Sequence, residues 1–294
     1  MEHSLSGKTI VVTGATSGIG QAAAELLLEQ GASVIGVGRS VERCEQAQAH
    51  LQSLEPEGRV IYLVADLAEQ SAVRDLAVRI RQILQQSGMQ KLDGLVNNAG
   101  TFHYWLTLTP EGFEMQWAVN HLAPFLLTHE LLPLLQAAPA SRVVTVSSGS
   151  HYNTSLRWED IQLRRRYNGL RAYKQTKLAN VLFTAEFNRR VGPPVQAFAA
   201  DPGLVNTSIG AKSDSFIARW VWNIRRRGGI PAEKAAQGIL FLLSEPGLQE
   251  SGEIYWLHGK PKAPSNYAQD AVIARRLWEL SEKMCAIAPG GYAQ

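Results

Sequence analysis

The chain contains little cysteine and no strong charge of one sign. Its two cysteines, Cys44 and Cys285, lie far apart and outside any metal-ligand spacing. A disulfide framework is therefore not expected, and a reducing cytoplasm fits best. The formal net charge of +3 is too small to imply nucleic-acid binding by itself. The arginine triplets at 164–166 and 225–227 are interpreted as solvated or surface-binding, because no recognised nucleic-acid module surrounds them.

Long apolar runs are also missing from the sequence. The N-terminal stretch lacks the apolar segment, roughly 7–15 residues long, that a signal peptide needs. No run approaches the ~20 apolar residues that span a bilayer. With 45% apolar and 19% charged residues, the composition is that of a globular protein with a sizeable core. We expect a soluble, cytoplasmic protein, attached at most to the surface of a membrane.

Short β-branched runs alternate with longer amphipathic segments along nearly the whole chain. Most of the short runs are continuously apolar, as expected for strands that are covered on both faces. The alternation predicts an α/β fold, in which one domain over residues 1–294 holds a doubly wound, seven-stranded parallel sheet with helices on both faces. The predicted strands are 9–14, 33–39, 60–66, 92–98, 142–148, 195–201 and 253–259. The predicted helices are 20–31, 41–54, 68–88, 111–136 and 171–190.

Two segments interrupt this alternation. Residues 150–170 form an inserted loop before the last predicted helix, and residues 207–229 follow the sixth strand. Long excursions in a compact domain are more often functional loops than accidents. The tail at 260–294 includes one more helical pattern, and it is too short for a separate domain.

The second segment carries an apolar stripe flanked by arginines. Phe216, Trp220 and Ile224 recur at helical spacing. One interpretation is a lid helix whose tryptophans are buried over a substrate site. A second, which does not exclude the first, is that 216–227 contacts a membrane surface and admits an apolar substrate.

A glycine-rich turn follows the first predicted strand. The stretch "TGATSGIG" at 13–20 places Gly14, Gly18 and Gly20 between that strand and a helix. Glycines there allow a tight turn and close approach of a pyrophosphate to the N–H groups of the helix N-terminus. The alternative is an ordinary turn, but the strand before and the helix after favour dinucleotide binding.

The end of the second strand indicates which dinucleotide is bound. An NAD site carries an acidic residue there for the ribose 2′-hydroxyl, whereas this chain has Gly38, Arg39 and Ser40. The planar fork of an arginine suits a 2′-phosphate. NADP(H) is therefore favoured over NAD(H), and the alternative is that Arg39 is a solvated loop residue.

Asp66 has two interpretations that the sequence does not separate. With Glu69 it forms a D-x-x-E pattern typical of the N-terminal cap of the next helix. Equally, Asp66 and Leu67 lie where a loop after the third strand would contact the adenine ring.

Five motifs stand in order along the chain. They are "TGATSGIG" at 13–20, "DL" at 66–67, "NNAG" at 97–100, "VSS" at 146–148 and "YKQTK" at 173–177. Together, over essentially the whole chain, they closely resemble the short-chain dehydrogenase/reductase family, oxidoreductases with a single Rossmann-fold domain.

The resemblance implies a role for each matching position. Tyr173 corresponds to the catalytic acid/base and Lys177 to its partner, which also bonds the nicotinamide ribose. Ser148 would hold the substrate oxygen, Asn120 would support a water-linked proton relay, and Asn97 belongs to the segment that steadies the central sheet. The complete set of predicted cofactor-binding residues is Gly14, Thr16, Ser17, Gly18, Ile19, Gly20, Arg39, Ser40, Asp66, Leu67, Asn98, Ala99, Gly100, Tyr173, Lys177, Pro202, Gly203 and Thr207.

The chemistry of these residue types agrees with those roles. A free tyrosine has a pKa near 10, and a nearby ammonium, together with the positive nicotinamide ring of the oxidised cofactor, is expected to lower it by stabilising the phenolate. Ser148 would donate a hydrogen bond to the substrate oxygen as charge develops on it. No His/Cys/Asp cluster suggests a metal. Taken singly, each residue has a plainer interpretation: an incidental helix pair for Tyr173 and Lys177, a turn residue for Ser148, and a helix kink for Asn120.

The substrate side resembles one branch of the family. Ser148 and Tyr173 lie 25 positions apart, and this insertion followed by "KLANVLFTAEFNRR" resembles the retinol dehydrogenase and WW-domain oxidoreductase branch. The resemblance implies reduction of a bulky apolar aldehyde or ketone, retinal-, lipid- or steroid-like. The aromatic residues at 103–105 either line the pocket or pack ordinarily.

Other classes of function remain as alternatives. One is a non-catalytic, Rossmann-fold NADP(H) redox sensor that acts through a protein partner. The complete set of Asn120, Ser148, Tyr173 and Lys177 argues against it. Another is a sugar-nucleotide epimerase or dehydratase, which the short tail disfavours. The family resemblance also implies a homodimer paired through the two helices at 111–136 and 171–190.

Overall fold

The computed structural model describes residues 4–54, 56–205, 229–288 and 290. Within these ranges one sheet has the strand order β3-β2-β1-β4-β5-β6-β7-β8. The strands are β1 (Thr9–Thr13), β2 (Ser33–Gly38), β3 (Val60–Val64), β4 (Gly94–Asn97), β5 (Ser141–Val146), β6 (Val195–Asp201), β7 (Tyr255–Leu257) and β8 (Lys260–Pro261). The helices are α1 (Gly18–Glu29), α2 (Val41–Gln52), α3 (Gln70–Gln86), α4 (Met115–Trp117), α5 (Ala123–Gln136), α6 (Gly169–Arg190), α7 (Ala232–Ser244) and α8 (Ala271–Met284).

The α/β fold with one doubly wound sheet is confirmed, but the predicted strand count of seven is wrong. An eighth strand pairs antiparallel with β7, with Trp256 opposite Pro261 and Leu257 opposite Lys260. A two-residue turn of His258 (φ 51°) and Gly259 (φ 73°) joins them, as in tight hairpins that need positive φ at both positions. The sequence obscured this strand because it is two residues long and contains proline, which suits only a sheet edge.

Two cores lie on opposite faces of the sheet. One packs α3, α5, α6 and α8 against the sheet and includes the rings of Phe125, Phe183 and Trp278. The other packs α1, α2 and α7 against the opposite face. Strands covered on both faces have no solvated side, and this explains their continuously apolar sequences.

The helix predicted from residue 111 begins at Met115 instead. The Glu114 carboxylate caps it, accepting hydrogen bonds from the N–H groups of Gln116 at 3.0 Å and Trp117 at 2.6 Å. A π-helical turn, Ala118–Leu122, then continues α4 into α5. Such turns insert one extra residue into a helix and occur often at functional sites.

The predicted cap of α3 by Asp66 and Glu69 is wrong. Asp66 accepts a hydrogen bond from the N–H of Ala68 at 3.0 Å, and the Glu69 side chain makes no capping bond. The N–H of Gln70 instead donates to the Glu111 carboxylate at 2.9 Å. A carboxylate distant in sequence therefore satisfies the helix end, which explains why a local pattern misplaced the cap.

The C-terminal segment returns to the sheet and covers the helices of one face. On α8, the Trp278 ring lies 5.0 Å from that of Phe125 and 5.9 Å from that of Phe183, measured between centroids. His121, in the π turn, hydrogen-bonds Ser281 through Nε2 at 2.9 Å. Parts of the α5 and α6 surfaces are thus buried within the same chain, and the predicted homodimer stays a prediction.

The inserted loop before α6 contains two short 3₁₀ turns, Gly149–His151 at its start and Trp158–Asp160 further along. The predicted lid, the apolar stripe at 216–227 and Thr207 lie outside the described residues. Among the helices that the structure describes, none combines the length and apolar character needed to cross a membrane.

Candidate active site

The predicted motifs meet at the carboxyl edge of the sheet. β1 pairs with both β2 and β4, so the chain turns one way after β1 and the other way after β4. In open α/β sheets, ligands bind in the crevice at such a switch point. The glycine-rich turn follows β1 and the "NNAG" segment follows β4, and the two lie side by side.

Two glycines of the first turn are required by their surroundings. Gly14 has φ 67°, in the left-handed region that favours glycine. At Gly20 an added Cβ would lie 2.3 Å from the carbonyl oxygen of Gly14 and 2.4 Å from the Asn98 amide nitrogen. No larger residue fits there without moving the turn or the "NNAG" segment.

The same turn leaves the start of α1 open to an anion. The Ser17 side chain makes no capping hydrogen bond, and the first turn of α1 carries no acidic residue. N–H groups at a helix N-terminus bind phosphate through hydrogen bonds and the helix dipole. This open helix end and the close-packed glycine cradle fit a dinucleotide pyrophosphate.

The "NNAG" segment is tied to β1 by side-chain hydrogen bonds. Thr13 Oγ1 accepts from the N–H groups of Asn98 and Ala99, both at 3.0 Å. Asn98 Nδ2 donates to the carbonyl of Thr13 at 2.8 Å. Buried Asn97 donates to Thr128 Oγ1 at 3.0 Å. These bonds hold the segment, which ends at Gly100, beside the glycine-rich turn.

The residues predicted to contact the ribose and adenine line the same edge. Arg39 is exposed directly after β2, and Ser40 caps α2 by accepting from the N–H of Arg43 at 3.4 Å. Asp66 is exposed after β3 and Leu67 is partly buried. The exposed position of Arg39, directly after β2, is compatible with the predicted contact to a ligand phosphate.

The predicted acid/base pair lies on α6. Lys177 Nζ is 5.5 Å from the centroid of the Tyr173 ring. Lys177 is 3% exposed, and its ammonium donates to the carbonyl of Val146, at the end of β5, at 2.9 Å. Ser147 Oγ donates in turn to the carbonyl of Lys177 at 2.8 Å. The lysine is thus fixed to the sheet edge beside the tyrosine.

Burial dominates the acidity of both groups. It raises the pKa of Tyr173 to about 12; the Asp201 carboxylate adds to the rise, and a hydrogen bond with the Ser148 side chain opposes it. Burial lowers the pKa of Lys177 to about 8, against the Asp201 charge. In the protein alone, desolvation of the phenolate is the largest effect on this pKa. The lowering expected from the ammonium together with an oxidised nicotinamide ring concerns the complex with cofactor and stays a prediction. At neutral pH the tyrosine is a phenol, ready to give a proton.

Ser148 is held in place by the turn that follows it. Its hydroxyl accepts from the N–H of Ser150 at 3.2 Å. The buried ring of His151 joins its Nδ1 to the carbonyl of Ser148 at 2.9 Å, and its Nε2 accepts from the N–H of Ser265 at 3.1 Å. Burial lowers the pKa of His151, so the ring stays neutral and donates through Nδ1.

Asn120 joins two elements of the site. Its Oδ1 accepts from the N–H of Thr101 at 2.7 Å, and its Nδ2 donates to the carbonyl of Thr101 at 3.0 Å and to Thr176 Oγ1 at 3.2 Å. The side chain is fully buried within the π turn. Asn120 therefore fastens the residue after "NNAG" to the helix that carries Tyr173.

The turn after β6 lies at the same carboxyl edge of the sheet, on the side of β5 away from β4. Gly203 has φ 70°, and its N–H donates to Asp201 Oδ1 at 2.9 Å. Pro202 lies between them, partly buried. Thr207 lies beyond the described residues.

A cleft opens beside α6. It has a volume of about 470 Å³ and is lined by residues that include Asn153, Ser155, Leu170, Arg171 and Lys174. Its lining is mostly polar, with two cations and one apolar side chain among these five.

Aromatic side chains follow the "NNAG" segment. The ring that contacts Tyr173 is Phe102, with centroids 5.9 Å apart. Tyr104 and Trp105 contact each other, and Trp105 is 64% exposed. These two rings present an apolar surface to solvent rather than packing inside.

Sequence reasoning missed three buried groups around the site. In the sequence, Asp201 is marked only as the end of the predicted strand 195–201. In the structure, its carboxylate accepts a hydrogen bond from the Tyr255 hydroxyl at 2.5 Å. His151 holds Ser148, as described above. The available signal was an acidic residue directly before the Pro–Gly turn, whereas nothing local marks His151 or Tyr255.

The family assignment follows from this geometry and from comparison with known proteins. Residues 8–217 match the model of the short chain dehydrogenase family. The chain belongs to the short-chain dehydrogenase/reductase family. Its relatives place it in the retinol dehydrogenase-like branch. Mouse (Mus musculus) retinol dehydrogenase 14 is 36% identical, over 96% of this chain and 87% of that protein. Human (Homo sapiens) retinol dehydrogenase 13 is 34% identical, over 96% and 86%.

Solved structures agree with this assignment. An uncharacterized protein from Mycobacterium paratuberculosis has a TM-score of 0.72 and 34% identity, over 96% of this chain and 94% of that one. A metagenomic short-chain oxidoreductase in complex with NADP has a TM-score of 0.64 and 26% identity, over 88% and 100%. The chain is therefore an oxidoreductase of the family that uses a nicotinamide dinucleotide.

Proposed function

We propose that this protein interconverts a carbonyl and an alcohol with NADP(H), acting mainly as a reductase of bulky, largely apolar aldehydes or ketones. The observation that carries the proposal is the convergence, at one sheet edge, of a glycine cradle for pyrophosphate with Ser148, Tyr173 and Lys177. The nicotinamide dinucleotide, when bound, supplies the hydride. The chain supplies the proton and the groups that stabilise the charges formed during its transfer.

Tyr173 gives its phenolic proton to the substrate oxygen. Its raised pKa keeps that proton in place at neutral pH, so the proton-donating form is present before the reaction. The buried ammonium of Lys177 stabilises the phenolate that remains. Ser148 donates a hydrogen bond to the substrate oxygen as negative charge develops on it. In the oxidising direction the same groups act in reverse, with Tyr173 accepting the proton.

The dinucleotide would be held by the two turns described above. The first turn of α1 and the cradle of Gly14 and Gly20 would hold the pyrophosphate. Arg39 would pair with the 2′-phosphate, and its exposure beside β2 supports a preference for NADP(H). Asn120 would support a proton path between the site and solvent.

The substrate class rests on the relatives and on the surface near Tyr173. The named relatives are retinol dehydrogenases. Phe102 contacts Tyr173, and exposed Tyr104 and Trp105 follow it. These residues suit the apolar body of a substrate. We therefore expect large apolar carbonyl compounds to be turned over faster than small polar ones.

The test is NADPH and NADH oxidation against a graded panel of aldehydes and ketones. The panel runs from short polar to long apolar members and includes pairs that differ only by a terminal carboxylate. The proposal predicts turnover with NADPH that rises with apolar length. Tight NADPH binding without turnover across the panel would contradict it and would favour a redox sensor. Turnover restricted to short polar members would overturn the substrate class alone.

A further inference from the structure

A buried carboxylate lies at the end of β6, next to the end of β5 that Lys177 contacts. Asp201 ends β6 and is 4% exposed. Its Oδ2 accepts from the Tyr255 hydroxyl at 2.5 Å, and its Oδ1 from the N–H of Gly203 at 2.9 Å. Within the described ranges, no cation forms a salt bridge with it. A buried carboxylate is costly, so its retention at this place calls for a function.

The sheet register brings Asp201 next to the catalytic segment. Val146 lies opposite Ala200 on β6, so the residues that follow each of them continue side by side. A Cβ added to Gly149 would lie 3.3 Å from Asp201 Oδ2. Lys177 donates to Val146 at this same point. The carboxylate, the ammonium and the serine turn therefore share one corner of the sheet edge.

Charge at this corner acts on both members of the pair. The Asp201 carboxylate raises the pKa of Lys177 and also that of Tyr173. The effect on Lys177 keeps the ammonium charged, whereas the effect on Tyr173 makes the phenol a weaker acid and by itself opposes proton release. Among the described residues, the other titratable groups around this corner are His151 and Tyr152 after β5, Tyr255 on β7, His258 in the β7–β8 turn, and Lys262 after β8.

Tyr255 serves to fix the carboxylate. It is fully buried, and burial with the Asp201 charge raises its pKa, so it remains a hydrogen-bond donor. Its ring lies 4.7 Å from that of His151, centroid to centroid. The same aromatic packing thus supports Asp201 and the turn that holds Ser148.

We propose that Asp201 is a positioning residue whose fixed charge, held by Tyr255 and the Gly203 amide, keeps the buried ammonium of Lys177 charged beside Tyr173, where it stabilises the phenolate that proton donation leaves. The proposal rests on the proposed function for its catalytic consequence. Its electrostatic part concerns the protein alone.

The test compares two changes to the same hydrogen bond. Asp201→Asn removes the charge and keeps the shape. Tyr255→Phe keeps the charge and removes the donor. Asp93→Asn removes another buried carboxylate, which pairs with Lys8 and Lys91 at the opposite edge of the sheet, and controls for loss of stability.

The first readout needs no turnover. The Cε resonance of Lys177 is followed by NMR against pH and assigned by its loss in Lys177→Met. We expect its transition, near pH 8 in the wild type, to fall by about one pH unit in Asp201→Asn. Tyr255→Phe keeps the charge but removes one of the donors that hold it, so it should move the transition less than Asp201→Asn does, and Asp93→Asn should leave it in place. An unchanged transition in Asp201→Asn would overturn the proposal.

The second readout is the pH profile of carbonyl reduction. Since Asp201 raises the pKa of both groups, its neutralisation should move the alkaline limb to lower pH, whichever proton the limb reports. Tyr255→Phe should move the limb less than Asp201→Asn does. If the lysine transition shifts in Asp201→Asn but neither the wild type nor any variant turns over a carbonyl, the electrostatic role of Asp201 is supported and the proposed function is refuted. Turnover with an unmoved limb in Asp201→Asn would refute this inference alone.

Discussion

The two halves of the sheet edge are built by different means. Around β1–β3 the backbone and glycines shape the site, and its charged side chains, such as Arg39 and Asp66, are exposed. Around β5–β7 the site is made of buried polar side chains, among them Lys177, Asp201 and Tyr255. The half around β1–β3 selects a ligand by its shape and by backbone N–H groups that are open to it. The half around β5–β7 determines which of its groups carry a proton, in a medium of low dielectric. A single added methyl group should disable the first, and a single changed charge should retune the second.

The largest effect is expected where shape is tightest. Gly20→Ala places a methyl group 2.3 Å from the Gly14 carbonyl, so the turn must open. We expect NADPH affinity to fall more than about a hundredfold, with about 1–3 kcal/mol lost from the free energy of unfolding. Isothermal titration and urea unfolding measure the two losses.

Gly252→Ala is the matched control for that change. A Cβ there meets no atom within 4 Å, so binding and stability should stay near wild type. If Gly20→Ala bound NADPH as tightly as Gly252→Ala, the glycine turn would not be the pyrophosphate site.

A smaller effect is expected from the exposed charge of the same half. Arg39→Ala should weaken NADPH binding about 10- to 100-fold through loss of a charge-assisted contact to the 2′-phosphate. NADH, which lacks that phosphate, should bind almost as before. Arg43→Ala, a neighbouring exposed arginine, should change neither affinity. Equal losses for the two dinucleotides in Arg39→Ala would exclude the 2′-phosphate contact.

Buried polar groups outside the sheet edge should affect how the free energy of unfolding depends on pH. Burial lowers the pKa of His121 from 6.5 to about 3. Between these values the unfolded chain binds a proton that the folded chain does not, so stability falls as pH falls through this window. His121 alone accounts for about 2 kcal/mol between pH 7 and pH 5.

Urea unfolding at these two pH values tests this contribution. His121→Gln should reduce the difference between them, whereas His50→Gln, at an exposed position, should not. Identical pH dependence in the wild type and His121→Gln would show that the buried histidine is not the titrating group.

The sequence predicted best those parts of the site that are local in the chain. The glycine turn, the "NNAG" segment and the Tyr173–Lys177 pair each occupy a few consecutive positions. Their chemistry follows from spacing and from the elements on either side. The alternation of apolar runs was enough for the fold, because covered strands leave that pattern.

Contacts between distant segments escaped prediction. Glu111 caps α3 from across the chain, and Tyr255 meets Asp201 only because β6 and β7 are neighbours. The raised pKa of Tyr173 has the same origin. A motif shows the ammonium one turn away but not the burial and the Asp201 charge that raise this pKa in the protein alone.

The central claim is that Tyr173 is the proton donor, and replacing it by phenylalanine is the most direct test. Tyr173→Phe keeps the ring and its contact with Phe102, so NADPH should bind within about threefold of wild type. Turnover of the best carbonyl in the panel should fall by about 10²- to 10⁴-fold, the usual contribution of a positioned acid. Retained NADPH binding with lost turnover is the predicted result. A rate near that of the wild type would show that another group gives the proton.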